Sequence, residues 1–494
     1  TRKESSAASD VYKRQAAMRL CLLMMALATL AGCAVNPATG RTDFVMMSEA
    51  QELSLGREAH QQILKQYPRY PDQALQAYVQ QVGERVARHS HRGQLDYHFT
   101  VIDSPDINAF ALPGGYIYIH RGLMAYLGSE AELAAVLGHE VGHVTARHGV
   151  RQQSQSTAWG VLGQAVAMGT GVGAAADVTG VLGNAVVRGY GRDMELEADG
   201  LGAEYLARGG YDPQAMIEVV RVLKLQEDFA RDQAAARGEP QPVGSYHGLF
   251  DTHPDNDRRL QQVIGPARAL VAGQEEVNRE AFLKRLQGLP FGDSAESGIR
   301  RGERFYHRDL DFTLAFAKGW SIINEPQQLV GQSPDRQVLV AMMLEDNPRR
   351  LDAATLLSQR IGGRRLRAGE PLQQAGLHGY TGLIEGSVPR RVAVILKADK
   401  AYLFIGAAKG RAASATEDVQ MLAAISSFRP LQPAERKLAE PLRLQLLRVA
   451  PGQTVKALAA GSGLPGNAEA TLRLLNNLYP QGEPRPGEWF KTVR

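Results

Sequence analysis

The stretch LAAVLGHEVGHVTARHG, residues 133–149, places two histidines and a glutamate within an otherwise apolar helical pattern. His139 and His143 are four positions apart, so a helix carries both imidazoles on one face. In the H-E-x-x-H spacing such a pair holds Zn²⁺, and the intervening glutamate, here Glu140, serves as a general base. A satisfied core histidine is the simpler alternative. Because each unpaired polar group in an apolar helix costs about 1–3 kcal/mol, the three together favour a metal site.

A third metal ligand is expected from a second helical segment, RGYGRDMELEADGLGAEYLARGG, residues 188–210. Glu195 and Asp199 share one helical face, whereas Glu197 points away from it. One of the two carboxylates could bind the metal while the other accepts the spare N–H of a ligand histidine. An acidic first turn that favours the helix dipole is the alternative. The spacing alone leaves the choice between Glu195 and Asp199 open.

The two segments together, HEVGHVTARHG and RDMELEAD, resemble the zinc metallopeptidase family that contains the heat-shock protease HtpX, the periplasmic protease BepA and the CAAX prenyl endopeptidases. The resemblance covers roughly residues 37–270. It implies that His139, His143 and Glu195 bind one Zn²⁺ per chain. It also implies that Asp199 supports a ligand from the second shell and that Glu140 is the general base. Gly191 stands where the family commonly has a serine.

The segment NAFALPGGYIYIHRGLM, residues 108–124, contains a Gly-Gly turn followed by an alternating pattern that predicts a strand over Tyr116–His120. On its own the strand is an ordinary sheet edge of the core. The family resemblance implies instead that it borders the cleft, where an extended substrate adds to it through backbone hydrogen bonds. On this basis the substrate-binding candidates are Asn108, Gly115, Tyr116 and Ile117.

The segment LFDTHPDNDRRL, residues 249–260, is a helix-start signal by itself. The resemblance implies that His253 approaches the zinc site, either stabilising the developing oxyanion or occupying the open position as an inhibitory ligand. Arg259 is then expected to support His253 or the transition-state charge. Between the two ligand helices, residues 157–187 are small and apolar but include Asp177 and seven glycines. We expect a pair of helices forming a lid there, or equally a plain core hairpin.

The N-terminus has the features of a lipoprotein signal. Residues 1–17 have the character of a non-native leader, and Met18 is the expected start of a signal peptide over 18–32. Its apolar run is too short to span a bilayer, which takes about 20 residues. It ends in Leu30-Ala31-Gly32-Cys33, which resembles the bacterial lipobox, so Cys33 is the expected lipidation site and membrane anchor. Ala34 after the cysteine favours the outer membrane, facing the periplasm.

Composition limits the remaining possibilities. The 494 residues are 44% hydrophobic and 22% charged, which is typical of a globular protein with two to four domains. The formal charge of +4 has no long basic block, so a nucleic-acid partner is not expected. Of the two cysteines, Cys21 leaves with the signal peptide. The mature chain therefore offers neither a disulfide nor a thiolate metal site.

The expected fold class is α+β and multidomain. A mainly helical, zincin-like metallopeptidase domain with a small edge-strand sheet precedes a small α/β domain, for which α+β is the alternative, and a LysM-like β-α-α-β module. The predicted boundaries are a tether over 33–47, the peptidase domain over 48–270, a linker over 271–303, the α/β domain over 304–431, a linker over 432–445 and the LysM-like module over 446–494.

The last segment, residues 446–494, resembles a divergent LysM module, whose relatives bind N-acetylglucosamine-containing glycans. The resemblance implies peptidoglycan as a partner, and a simple β-α-α-β packing module is the alternative. For the whole chain we expect a lipid-anchored zinc endopeptidase of the bacterial envelope, acting on misfolded or unassembled polypeptides. The alternative is a proteolytically latent chaperone or cell-wall-binding lipoprotein.

Overall fold

A computed structural model of the protein describes residues 33–157, 190–236, 238, 258–259, 262, 267, 269–270 and 276–494. The chain divides into two compact units. The first contains the described residues up to Leu289 together with Leu444–Thr492 and Arg494, and the second contains Pro290–Arg443 and Val493. The predicted leader, signal peptide and lid or hairpin lie outside the described residues, except for Thr157. Among the described helices, none combines the length and apolar character needed to cross a bilayer.

The first unit begins with short strands and continues mainly as helices. In chain order its elements are β1 (Cys33–Val35), β2 (Thr42–Phe44), α1 (Glu49–Gln66), α2 (Gln73–Ala87), β3 (His98–Ile102), β4 (Ala109–Leu112), β5 (Tyr116–His120), α3 (Arg121–Tyr126), α4 (Glu130–Thr145), helical residues 148–157, α5 (Arg192–Arg208), α6 (Ala215–Ala236) and α7 (Arg279–Arg285). A capping box starts α1, since the side chains of Ser48 and Gln51 accept hydrogen bonds from each other's backbone N–H.

The small sheet confirms the predicted strand over Tyr116–His120 and adds two neighbours to it. β3 pairs with β5 in parallel register, and β4 pairs with β5 in antiparallel register. The predicted tether also contains regular structure, because β1 and β2 pair as an antiparallel hairpin in which Asn36 donates a hydrogen bond to Asp43 at 2.8 Å. The polar composition of this segment reflects its surface position, which does not prevent a hairpin from forming.

Helix α4 is the buried centre of the first unit, with all residues from Ala131 to Thr145 buried. It packs against α5 through small residues. A Cβ added at Gly142 would lie 2.9 Å from the carbonyl oxygen of Ala198, and one added at Gly202 would lie 3.0 Å from the backbone nitrogen of His139. Any side chain at these positions would push the helices apart, because interiors are close-packed. Their backbones therefore lie close enough for short carboxylates on α5 to reach imidazoles on α4.

The second unit is built on an antiparallel sheet. Its elements are β6 (Pro290–Phe291), β7 (Ile299–Arg301), β8 (Arg304–His307), β9 (Phe312–Ala315), β10 (Ser321–Glu325), β11 (Gln328–Gln332), β12 (Val338–Asp346), α8 (Ala353–Arg360), β13 (Leu366–Gln374), β14 (Leu377–Ile384), β15 (Arg390–Lys397), β16 (Lys400–Ala408), α9 (Ala415–Ser426) and a 3-10 helix (Pro433–Ala439). Seven strands follow the order β10-β11-β12-β16-β15-β14-β13, and β7, β8 and β9 form a smaller sheet.

This architecture decides between the two classes expected for the middle domain. Every pair in the seven-stranded sheet is antiparallel, so the unit is α+β rather than α/β. Strand patterns alone could not make the distinction, because strands buried on both faces read as continuous apolar runs in either class. The core on one face includes Phe312, Phe404 and Phe428.

The predicted linkers also contain regular elements. The stretch 271–303 includes α7, β6 and β7, and the first of these buries Phe282 and Leu283 completely or nearly so. The stretch 432–445 includes the 3-10 helix and the start of β17 (Leu442–Arg448). Glycine, serine and charged residues are frequent in the first stretch, and charged residues and proline are frequent in the second. This composition concealed a few apolar residues that pack into the units.

The C-terminal residues have the predicted β-α-α-β order, formed by β17, α10 (Val455–Ala460), α11 (Ala468–Leu475) and β18 (Trp489–Val493). They do not stand apart from the helical residues of the first unit. The ammonium of Lys491 is 2% exposed and donates to the carbonyl oxygens of Ala125 at 2.7 Å and Leu127 at 2.9 Å. Burial lowers the pKa of Lys491, while the nearby carboxylate of Glu132 raises it in part. Lys491 thus holds the turn that leads into α4.

We expect Lys491→Met to destabilise the first unit by about 1–3 kcal/mol, because two buried carbonyl oxygens lose a charged donor. Chemical denaturation followed by circular dichroism measures the change. Lys456→Met is the matched control, since Lys456 is exposed on α10. Equal denaturation midpoints for both variants would contradict a structural role for Lys491.

Candidate metal centre

Three buried side chains from two helices bring their ligand atoms together. The Nε2 atoms of His139 and His143 are 2.9 Å apart, and each is 3.5 Å from an oxygen of Glu195. In a tetrahedral zinc site with bonds near 2.0–2.1 Å, adjacent ligand atoms are roughly 3.3 Å apart. The three distances bracket that value. The arrangement therefore fits a single small divalent cation with two imidazole ligands and one carboxylate.

Asp199 is placed behind His139 rather than at the cation position. Its Oδ1 atom lies 2.8 Å from His139 Nδ1, on the side of the ring opposite Nε2. This geometry assigns the two carboxylates that the spacing left open: Glu195 faces both Nε2 atoms, and Asp199 orients one of the rings. A carboxylate in this position fixes the tautomer of a metal-binding imidazole.

Arg259 closes this side of the site. Its guanidinium donates to both oxygens of Asp199, at 2.8 and 2.7 Å, and its Nη1 atom is 3.5 Å from Glu195. Such bidentate pairs are strong and directional. His253, which Arg259 was predicted to support, lies outside the described residues. The contacts that Arg259 does make hold the carboxylates in place.

The charges around His139 favour a positive group at the site. Burial by itself lowers the pKa of His139. The hydrogen bonds to Asp199 and Glu195 have the opposite and larger effect, so the pKa is raised to about 9. Burial raises the pKa of the Asp199 carboxyl, and the neighbouring guanidinium of Arg259 lowers it well below its usual range. The two shifts have complementary causes, because carboxylates raise the pKa of His139 whereas the positive Arg259 and His139 lower that of Asp199. The positive charge that the carboxylates favour beside His139 is one that a divalent cation can supply.

The other ligand, His143, has neighbours that the sequence analysis missed. Its Nδ1 atom is 2.8 Å from Nδ1 of His148, and the ring of Tyr190 stacks on its face at 4.0 Å. His148 in turn lies 3.1 Å from Glu197. His148 lies five positions after His143 in the stretch over 133–149. Residues five positions apart do not share a face of a continuous helix, so there was no reason to expect the contact from the sequence.

Glu140 is buried beside the ligands, with 1% of the residue exposed. It follows His139 directly on α4, and its charge acts on both Arg259 and Tyr190. Burial raises the pKa of the Tyr190 phenol, and the carboxylates of Glu140 and Glu195 raise it further. These effects place Glu140 within the same electrostatic neighbourhood as the ligand cluster.

Comparison with known proteins agrees with this centre. Residues 73–267 match the sequence profile of Peptidase family M48. The chain contains a Peptidase family M48 domain. Members of this family depend on zinc, and the His-His-Glu cluster of the M48 domain is able to bind one metal ion.

Several curated relatives share the M48 domain. The beta-barrel assembly-enhancing protease of Escherichia coli (strain K12) is 34% identical over 272 residues, which cover 53% of this chain and 53% of that protein. The putative beta-barrel assembly-enhancing protease of Vibrio cholerae is 27% identical and covers 58% and 61%, respectively. The mitochondrial metalloendopeptidase OMA1 of Arabidopsis thaliana is 35% identical and covers 33% of each chain. The chain thus spans about half the length of the assembly-enhancing proteases.

The strand pairing in the small sheet of the M48 domain differs from the expectation that a substrate strand adds to the strand over Tyr116–His120. Tyr116 and Ile117 belong to β5, which is paired along its length with β3 on one side and β4 on the other. A third strand cannot add to β5, because its backbone groups already have partners. Gly115 forms the preceding turn with a φ of 94°. Asn108 comes immediately before β4, the strand at the edge.

We expect the purified protein to contain about one zinc per chain. We expect Glu195→Ala to weaken zinc binding by ~100-fold or more, because losing a ligand reduces the affinity more than the 10–100-fold that loss of an outer-shell partner costs. Metal analysis and competition with a chromophoric chelator measure the affinity. Glu204→Ala is the control, since Glu204 is on the same helix and pairs with Arg208. Unchanged zinc retention in Glu195→Ala would reassign the third ligand.

Proposed function

We propose that this protein is a zinc-dependent endopeptidase of the bacterial envelope that cleaves misfolded or unassembled polypeptides. The observation that carries the proposal is the convergence of His139, His143 and Glu195 beside the buried Glu140. The M48 domain and the similarity to metalloendopeptidases support a peptidase role. One glutamate remains beside the ligands for proton transfer, which is what peptide hydrolysis at such a centre requires.

Each side chain of the centre has a separate role in the proposed reaction. His139, His143 and Glu195 would hold zinc, which would supply the Lewis acidity that acidifies water and polarises the scissile carbonyl. Glu140 takes the proton of the attacking water and passes it to the departing amine. Asp199 and Arg259 keep His139 in position. The ring of Tyr190 covers one face of His143 and shields it from solvent.

The edge strand β4 is the proposed docking site for an extended substrate. Asn108 accepts a hydrogen bond from the backbone N–H of His120, so the alternation of an antiparallel ladder directs the backbone groups of Ala109 and Ala111 away from β5. Among the described residues no strand pairs with that side of β4. Ala111 also lines a small cavity together with His143 and Tyr190, which supports a substrate path next to the ligands.

We further propose that lipidation of Cys33 anchors the protein to the outer membrane, with the M48 domain in the periplasm. The lipobox-like sequence before Cys33 supports this placement. The bacterial relatives are beta-barrel assembly-enhancing proteases by name, which supports an envelope location. We also propose that residues 446–494 bind peptidoglycan, because their sequence resembles LysM modules.

Glu140→Gln tests the proposed activity. We expect cleavage of an unfolded protein substrate to fall by about 10²–10⁴-fold, because the amide cannot accept the proton, while zinc content stays near one per chain. Glu84→Gln, an exposed change on α2, is the control. If Glu140→Gln keeps full cleavage, the general-base assignment is wrong. If it abolishes cleavage yet complements a deletion strain, the envelope role is that of a chaperone or tether.

Ala111→Pro tests the substrate path. Proline removes the backbone N–H that faces away from β5, so the β4–β5 ladder is retained. We expect kcat/KM to fall by about 10-fold, which corresponds to one lost hydrogen bond of ~1.4 kcal/mol. Ala111→Ser keeps the N–H and is the matched control. Equal kcat/KM values in the two variants, at equal zinc content, would exclude pairing at this residue.

A further inference from the structure

His148 is a buried histidine next to the candidate metal centre that is not itself a ligand. It has 0% of its surface exposed, and its ring meets that of His143 edge-on, with centroids 4.9 Å apart and an interplanar angle of 71°. The nearer nitrogens of the two rings are 2.8 Å apart. A fully buried imidazole in contact with a ligand imidazole is positioned to influence how that ligand binds.

A break in the helix places His148 there. After α4 the chain turns at Ala146 and Arg147, and a new helical stretch begins at residue 148. Arg147 has a φ of 54°, a left-handed conformation that is uncommon for a residue with a side chain. Its guanidinium donates to the buried carboxylate of Glu52 at 2.9 Å and to the carbonyl oxygen of Met47 at 3.1 Å. These contacts hold the turn and so direct His148 back towards His143.

The hydrogen-bond directions along this group are determined at its outer end. The carboxylate of Glu197 accepts, so His148 carries its proton on Nε2, 3.1 Å away, and presents a lone pair on Nδ1. His143 then donates from its own Nδ1. As a result the Nε2 lone pair of His143 is available to a cation, at the atom that faces His139 and Glu195. The opposite tautomer of His143 would place a proton where the metal binds.

The two ligand imidazoles are therefore supported in different ways. His139 meets the carboxylate of Asp199 directly, at 2.8 Å, whereas His143 reaches the carboxylate of Glu197 through His148. Each outer carboxylate is in turn paired with an arginine. Asp199 accepts from Arg259, and Glu197 lies 3.2 Å from Arg151.

We propose that His148 and Glu197 form a hydrogen-bonded relay that sets the tautomer and orientation of His143 and thereby raises the affinity of the site for zinc. Both are positioning residues, which act on the metal only through His143. The inference rests on the proposed function in one respect, which is that His143 is a metal ligand. It assigns a role to Glu197, which helical geometry alone places off the ligand face of α5.

The test measures the zinc dissociation constant of the full chain by competition with a chromophoric chelator. We expect His148→Phe and Glu197→Leu each to weaken zinc binding by 10–100-fold, the usual effect of losing an outer-shell partner. Glu197→Gln keeps an oxygen that accepts from His148, so its affinity should recover most of that loss. Glu204→Leu on the same helix should bind zinc as the unmodified protein does.

The double variant distinguishes a relay from two separate packing effects. Because the residues act in series, His148→Phe combined with Glu197→Leu should bind zinc no more weakly than His148→Phe alone. Losses that multiply in the double variant would overturn the relay. If His148→Phe does not fold, the comparison of Glu197→Leu with Glu197→Gln decides, and equal affinities for those two would overturn it.

The outcome is separable from failure of the proposed function. If Glu195→Ala binds zinc as tightly as the unmodified protein, the metal centre itself is wrongly assigned. If Glu195→Ala loses zinc but His148→Phe and Glu197→Leu retain full affinity, the centre stands and the relay is refuted.

Discussion

The close contact between α4 and α5 is the constraint on which the centre depends. The helices approach through Gly142 opposite Ala198 and through Gly202 opposite the backbone of His139. Glutamate and aspartate have short side chains, so they reach imidazoles on a neighbouring helix only when the two backbones nearly touch. A larger residue at either glycine would separate the helices by more than those side chains can span. Packing of small residues thus determines whether a metal can be bound.

Burial of so much polarity in one place requires partners for every charge, because an unpaired buried charge is very costly. The structure meets this requirement with arginines placed outside the ligand shell. Arg259 pairs with Asp199, Arg151 pairs with Glu197, and Arg92 and Arg147 both donate to the buried Glu52. Each of these pairs compensates the charge of a buried or half-buried carboxylate.

The outer contacts extend to both ends of the chain. Arg151 also lies 3.2 Å from Asp43 of the N-terminal hairpin, and Lys491 holds the turn before α4. Residues far apart in sequence therefore contribute to positioning the helix that carries His139 and His143. The C-terminal β-α-α-β segment belongs to the same compact unit as that helix, which its sequence pattern, taken as a separate module, did not indicate.

The sequence by itself determined the ligand helix, the general-base candidate and the pair of carboxylates from which the third ligand comes, because helical periodicity fixes which residues share a face. It also located the strand over Tyr116–His120. The spacing left open which of Glu195 and Asp199 faces the imidazoles, and the family resemblance already favoured Glu195. Tertiary structure alone decided that β5 is central in its sheet and that His148 contacts His143. Those outcomes depend on how separate segments pack and where a helix breaks, and neither is encoded in the spacing of residues along one element.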